Sequence, residues 1–470
     1  MNYKTKHMQQ GIVPFYCLLL LLFWLPIPLA SNRPWAWGLM NIACYILLLV
    51  TTYTFSGSAK EQLLKYKMPL TLIFLFIAFS IAQVVPIPLW LLQHLSEEVA
   101  NIYSSAAASV EAVNNTALTH ATLSVDPAQS TTSLYKTLSY TSLFICTLLL
   151  CNSIERIRKT LLAIVFIGIF QATYGALEVL LGFERSLVFS LPVKGIATGT
   201  FVYKNHYANF LMLCLSMGVG YLVSTLLSKE AASRTKHKLR NLLETLLHGK
   251  ALVRIALAIM VIALVMSRSR MGNTAFFVAM SAVGLLSLFL IKKRTKGLSI
   301  LIISMFIIDM FILSAWFGLD KVKTRLEQTS LSQESRDEVI RDSIPLLQDF
   351  SATGSGMGSF YGIFPKYQGN DINLYYDHAH NDYLQFAIEA GIPATLLLFL
   401  LPLLSAICCI NAIRRRRNTI MKGTAFGCLM AIIGMAIHMS VDFPLQAPAN
   451  AALFMVLLAL GFQTKNRSIT

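Results

Sequence analysis

Charge is what this chain has least of. Only 13% of its 470 residues are Asp, Glu, Lys or Arg, and carboxylates are the scarcer sign, 23 against 39 Lys and Arg. A soluble domain keeps roughly a quarter of its residues charged, so a soluble globular fold is excluded. Metal-type cysteine spacing is missing as well. Cys17, Cys44, Cys146, Cys151, Cys214, Cys408, Cys409 and Cys428 fall inside or at the ends of apolar runs. A free thiol there packs as a small hydrophobe, and none has the spacing of a zinc ligand. The chain shows no internal repeat, no low-complexity tail and no obvious small-residue cleavage site after its first apolar run. That run is therefore expected to remain as the first span rather than leave as a signal peptide. The alternation that builds a membrane barrel is absent too.

What the chain has is hydrophobic length. Residues are 55% hydrophobic, with long apolar runs near 11–30, 37–55, 69–90, 135–151, 160–182, 206–226, 252–267, 271–291, 298–317, 386–411, 421–440 and 447–463. Crossing about 30 Å of hydrocarbon takes roughly 20 apolar residues in a helix. A helix also satisfies its own backbone polar groups in lipid. The expectation is an all-α polytopic membrane protein with about twelve transmembrane helices. Residues 1–470 read as one transmembrane domain that contains one large external loop, 318–385, bearing short helices.

The formal charge of +16 is not that of a nucleic-acid binder, because of where it sits. Lys4 and Lys6, Lys60 to Lys67, Arg156 to Lys159, Lys229 to Lys250, Lys292 to Lys296, Arg414 to Arg417, and Lys465 with Arg467 lie between or beside the apolar runs. Threaded from a cytoplasmic N-terminus, every cluster falls on the same side. This obeys the positive-inside bias and makes both termini cytoplasmic. Two external segments result. The first, 93–136, is rich in Ala, Ser and Thr and is expected to pack loosely over the bundle. The second, 318–385, is long enough to imply a function. Within it, Glu334–Phe350 carries apolar residues at helical spacing, with Pro345 expected to kink or end the helix. A glycine-rich turn follows at Thr353–Phe360.

Polar residues of chemical interest collect on the external side. Asp377-His378-Ala379-His380-Asn381-Asp382-Tyr383 runs directly into an apolar span, and ionisable groups at such a boundary point to a site. An imidazole there suits general acid–base work, since it titrates near neutral pH. His378, His380 and Asp382 also supply metal-ligand types in an incomplete set, and capping of the following helix is the structural alternative. Arg268 and Arg270 occupy a very short external turn, and Arg336 and Arg341 lie in the large loop. These residues run against the inside bias, and their planar guanidinium groups suit phosphate. The alternative is interfacial anchoring. Lys204, Asn205 and His206 open another external stretch, where a helix N-terminus favours anions. His438 and Asp442 flank the last external turn as a local polar pair.

The motifs together resemble the O-antigen ligase and polymerase superfamily. His380-Asn381, nine residues, then Gly391 is similar to its His-Asn-x9-Gly signature, with Ala394 standing where Gly, Thr or Tyr is usual. Thr198-Gly-Thr-Phe with Asn205, Ser267-Arg-Ser-Arg270, Arg336 leading to Gly354-x-Gly356-x-Gly358, and Glu389 fit the same pattern. The resemblance implies glycosyl transfer at the periplasmic face of a bacterial inner membrane, without metal or nucleotide cofactor. The donor would be a glycan on undecaprenyl diphosphate, and the acceptor a glycan, lipid A-core or protein hydroxyl. It further implies that His380 is the base and that Arg268, Arg270 and Arg336 hold the diphosphate. Lys204, Asn205, His378, Asn381 and Tyr383 become possible substrate contacts. A repeat-unit polymerase, a protein O-oligosaccharyltransferase and a transporter of lipid-linked glycan are the alternatives.

Overall fold

The structure, a computed structural model, describes residues 10–114, 118–228, 249–291, 303, 336–372 and 374–466. The elements are α1 (Ile12–Trp24), α2 (Pro34–Thr54), α3 (Ala59–Leu64), α4 (Lys67–Val84), β1 (Ile87–Pro88), α5 (Leu89–Leu95), α6 (Glu97–Asn114), β2 (His120–Ala121), α7 (Pro127–Leu150) and α8 (Ile154–Leu180). Then come α9 (Lys204–Leu227), α10 (Gly249–Met266), α11 (Arg270–Leu290), α12 (Arg336–Asp349), α13 (Phe360–Ile363), α14 (Asp382–Arg415), α15 (Thr419–Met439) and α16 (Pro448–Gln463). The all-α polytopic expectation is met. The count of twelve is left open by the described residues. Eight helices (α2, α4, α7, α8, α9, α11, α14 and α15) are long and apolar enough to cross a membrane, while α1, α16 and the apolar part of α10 are shorter. The span expected at 298–317 and the loop residues 318–335 lie outside the described residues.

Short polar residues start these helices. The side chains of Asp126, Ser153, Ser269, Asn381 and Asn418 each accept an N–H from the first turn of α7, α8, α11, α14 and α15, satisfying donors that helix starts leave open. Helices α9 and α15 form the buried centre. Gly220 faces Gly423 and Gly427, and an added Cβ at Gly220 would come within 2.9 Å of Gly427 backbone. Small residues let two membrane helices approach this closely, which is how they associate without a hydrophobic drive in lipid.

One expectation is overturned. The first external segment does not lie loosely over the bundle. Val99, Ala100, Ala121 and Leu123 from it, with Leu92 just before it, join Val339, Leu346, Phe350, Phe360, Phe364 and Ile372 of the large loop in a second apolar core. Neither segment has enough apolar surface for a core of its own, and together they make one. Tyr103 ties α6 back through its hydroxyl to Ser124 O at 2.8 Å. Helix α12 runs through Pro345 to Asp349 without ending there.

Candidate active site

The site forms at the end of the bundle where α9, α11, α14 and α16 begin and α10 and α15 finish. The Asn450 amide of α16 donates to His206 O at 3.1 Å. The Asp382 N–H donates to Asp442 O at 3.1 Å, and a Cβ on Gly272 would touch Ala208. These contacts bring segments far apart in sequence to one face. At its centre is the Phe443 ring. His378 stacks on it at 4.4 Å between centroids, His380 and His206 meet it edge-on at 4.8 and 4.9 Å, and Tyr203 stacks at 5.5 Å. Tyr376 adds an edge contact to His380 at 5.7 Å. Beside them Asn205 donates to the Asp442 carboxylate and to the Tyr203 hydroxyl at 2.8 Å, and His438 Nε2 lies 4.0 Å from Asp442 Oδ2.

His380 has a φ of +51°. The left-handed region is uncommon for a residue with a Cβ and occurs where surrounding structure dictates it, often at functional sites. The next residue supplies the constraint. Asn381 caps α14 by accepting the Leu384 N–H at 3.1 Å and donates to Ser440 O at 3.0 Å. The chain must therefore turn into the helix within one residue, and His380 is that turn. Tyr383 donates to Ala436 O at 3.0 Å, which fixes the first turn of α14 against α15.

The glycine of the His-Asn-x9-Gly pattern has a structural task. Gly391 sits inside α14 with φ +74° and ψ 160°, and the helix is broken there. Pro393 has no N–H to return to Glu389 O, and the Ile392 N–H goes to Ser351 O at 2.8 Å. Ile388 O and Glu389 O are thus released, and the glycine-rich turn takes them through the N–H groups of Ser355 (2.8 Å) and Gly356 (3.0 Å). Gln83 of α4 adds a donor to Glu389 O at 2.9 Å. Broken helices are tolerated in membranes when other protein groups resatisfy the backbone. Here the break is the docking point of the large loop.

A buried chain of polar side chains leads from this joint to the histidines. Glu389 Oε1 accepts from Gln385 Nε2 at 3.0 Å. Gln385 Oε1 accepts the Ala379 N–H at 3.2 Å, and its amide reaches His378 Nδ1 at 3.1–3.3 Å. Burial holds the His378 imidazole below its ordinary pKa, against the opposing pull of Asp377 and Gln385, so at pH 7 this ring is neutral.

Basic residues begin or precede helices at the same end. Arg268, with φ +50°, and Arg270 are exposed in the α10–α11 turn, and neither has an ion pair or hydrogen bond among the described residues. Lys204 begins α9, half-buried. Arg336 begins α12, and its side chain lies outside the described residues. Arg341 is committed elsewhere. It grips Asp371 with Nη2 at 2.9 and 3.0 Å and Asp342 with Nε at 2.7 Å, and the guanidinium holds the Asp342 carboxyl below its usual range.

Sequence reading did not single out Phe443, Tyr376 or Gln83, because stacking partners and supporting amides have no motif of their own; Gln385 stands at the end of the His-rich stretch, where sequence alone gives it no role. Asp442 was legible as a partner of His438, but its contact with Asn205 is purely tertiary. The metal alternative loses a ligand. The Asp382 carboxylate accepts the Leu445 N–H at 2.9 Å and the Gln446 amide at 3.2 Å, which turns it from the imidazoles toward the 444–446 turn.

No curated protein matches the chain. Residues 255–399 match the family model described as O-Antigen ligase, a stretch that holds Arg268, Arg270, Arg336, the glycine-rich turn, His380 and Gly391. That match, in a helical membrane protein whose large loop docks at the signature glycine, supports a likeness to the O-antigen ligase superfamily over residues 255–399.

Proposed function

We propose that this membrane enzyme transfers a glycan from undecaprenyl diphosphate to an acceptor hydroxyl at the periplasmic face of a bacterial inner membrane. His380 takes the acceptor's proton as its oxygen attacks the anomeric carbon. The bond from that carbon to the diphosphate oxygen breaks, and the diphosphate leaves with the added negative charge. Arg268, Arg270 and Arg336 neutralise that charge, the second electrostatic problem of the reaction. Lys204, Asn205, His378, Asn381 and Tyr383 surround the reacting groups. The observation that carries the reading is His380, held in a left-handed turn at the bundle end where the exposed Arg268 and Arg270 also lie. The direct experiment is transfer by the purified protein from an undecaprenyl-diphosphate-linked glycan to candidate acceptors. Absence of any lipid-linked donor use overturns the reading.

The opposite end of the bundle carries Arg156, Arg158 and Arg414 to Arg417, which supports cytoplasmic termini by the positive-inside bias. A cysteine at exposed Tyr375 is then expected to react with an impermeant maleimide from the periplasm, and one at Arg417 only after the membrane is opened. The reverse labelling would move the site to the wrong compartment.

Arg268→Ala and Arg270→Ala are each expected to raise the donor KM by about tenfold or more, the scale of a charge-assisted contact. Lysine should rescue poorly wherever two oxygens are gripped together. Unchanged donor kinetics in both alanine variants would remove the arginines from the mechanism. Transfer is also expected to survive excess EDTA, because arginines rather than a Lewis acid meet the leaving charge. Loss of activity restored by a specific divalent metal would replace this chemistry.

A further inference from the structure

His378 and His380 both pack on the Phe443 ring, and His378 is also held by the amide of Gln385. The orientation of that amide is fixed from two sides. The Ala379 backbone N–H, 3.2 Å from one end, can only donate, so that end is the oxygen Oε1. Glu389 Oε1, 3.0 Å from the other end, already accepts the Phe360 N–H at 3.4 Å and takes the amide nitrogen as a second donor. Gln385 and Glu389 are each only 1% exposed, so water offers the amide no other arrangement. The amide in turn orders the imidazole. His378 Nδ1 lies 3.1 Å from Gln385 Nε2 and 3.3 Å from Gln385 Oε1. The amide nitrogen has two hydrogens, one of which goes to Glu389. If Nδ1 accepts the other, every donor of the buried amide is satisfied. A protonated Nδ1 would instead set two N–H groups against each other and leave one buried donor without a partner, which is costly. Burial favours the neutral ring, and a neutral ring with Nδ1 as acceptor carries its proton on Nε2. His378 Nε2 is 4.0 Å from Asp377 Oδ2, beyond hydrogen-bond length, and has no hydrogen-bond partner among the described residues. The His378 side chain is 24% exposed, so a substrate can reach it.

We propose that Glu389 and Gln385 are positioning residues that lock His378 in the Nε2–H tautomer, and that this N–H donates a hydrogen bond to a substrate oxygen that gains negative charge during transfer. The inference rests on the proposed transfer reaction with His380 as its base. The two histidines then divide the work. His380 takes the acceptor's proton, whereas His378 transfers none, because its Nδ1 is occupied and its Nε2 is already protonated. A fixed donor is worth most where charge develops. Docking of the large loop reaches the chemistry through the same chain of side chains, since the Phe360 N–H on Glu389 belongs to that loop.

The test is nitrogen NMR of the full-length protein in detergent, with its histidine rings labelled. The His378 signals are those lost in His378→Ala. The unaltered protein is expected to show a protonated Nε2 and an unprotonated Nδ1. Gln385→Glu keeps the shape of the side chain but presents only oxygen to the ring, so Nδ1 should become protonated. In transfer assays that variant should lose about tenfold or more in kcat, the scale of a hydrogen bond to a charged group, with little change in donor KM. His378→Gln, whose amide N–H can stand near the Nε2 position, should retain more kcat than His378→Ala. A protonated Nδ1 in the unaltered protein, an unchanged tautomer in folded Gln385→Glu, or a loss confined to KM would overturn the proposal. Absence of transfer by the unaltered protein would overturn the proposed function instead, and the ring signals, which need no substrate, tell the two failures apart.

Discussion

Replacing His380 by Ala is expected to lower glycan transfer by about 10²–10⁴-fold, the usual contribution of a positioned general base, while the protein inserts and folds normally. The second half follows from its surroundings. His380 packs through edge contacts with Phe443 and Tyr376, and its backbone sits in the left-handed region, which Ala tolerates at a cost of about 1–3 kcal/mol. The loss should appear in kcat more than in donor KM, since the arginines that bind the diphosphate are untouched. His378→Ala should be milder. That ring is half-buried, its pKa is held below the ordinary value by desolvation, and it is tied to Gln385, so its removal loosens the segment without deleting the base. Steady-state kinetics of the two purified variants decide the matter. Near-normal turnover in His380→Ala, or equal losses in both, would make the pair structural.

The second large effect belongs to Gly391→Ala. The φ of +74° and ψ of 160° there are essentially a glycine-only conformation, costing about 1–3 kcal/mol for a residue with a Cβ. An added Cβ would also stand 2.5 Å from Ala352 O and 2.8 Å from its carbonyl carbon. Those are backbone atoms of the docked loop, so they cannot rotate away. Strain and clash together should destabilise the protein by roughly 3–5 kcal/mol. If the helix straightens instead, the glycine-rich turn undocks and transfer is lost. Gly362→Ala is the control, since a Cβ there meets nothing within 4 Å. Thermal unfolding in detergent should separate them, with a large drop in midpoint for Gly391→Ala and little change for Gly362→Ala. Matching midpoints and full activity in both variants would refute the docking account.

The sequence by itself determined the class of fold and the span ends at which polar residues collect. Apolar length specifies membrane helices because an unsatisfied backbone is prohibitive in lipid, and all the described expected spans are helical. His380, Asn381, Arg268 and Arg270 stood out because polar groups are rare in such a chain and conspicuous at its span ends. Other features came from tertiary structure alone. That the loop 93–136 shares an apolar core with the large loop depends on complementarity between two segments, each too weakly apolar to advertise a core. Gly391-Ile-Pro393 reads locally as a weak point in a helix. Only the approach of Ser351, Ser355 and Gly356 turns it into a joint, because the released carbonyls need donors from elsewhere in the chain. Phe443 and Lys136 read as an ordinary aromatic and a stray cation. Their positions, under three imidazoles and at the wall of an apolar cavity, follow from how α4, α7, α14, α15 and α16 pack. Side-chain periodicity reports which face of a helix is apolar, but not which helix will cover it.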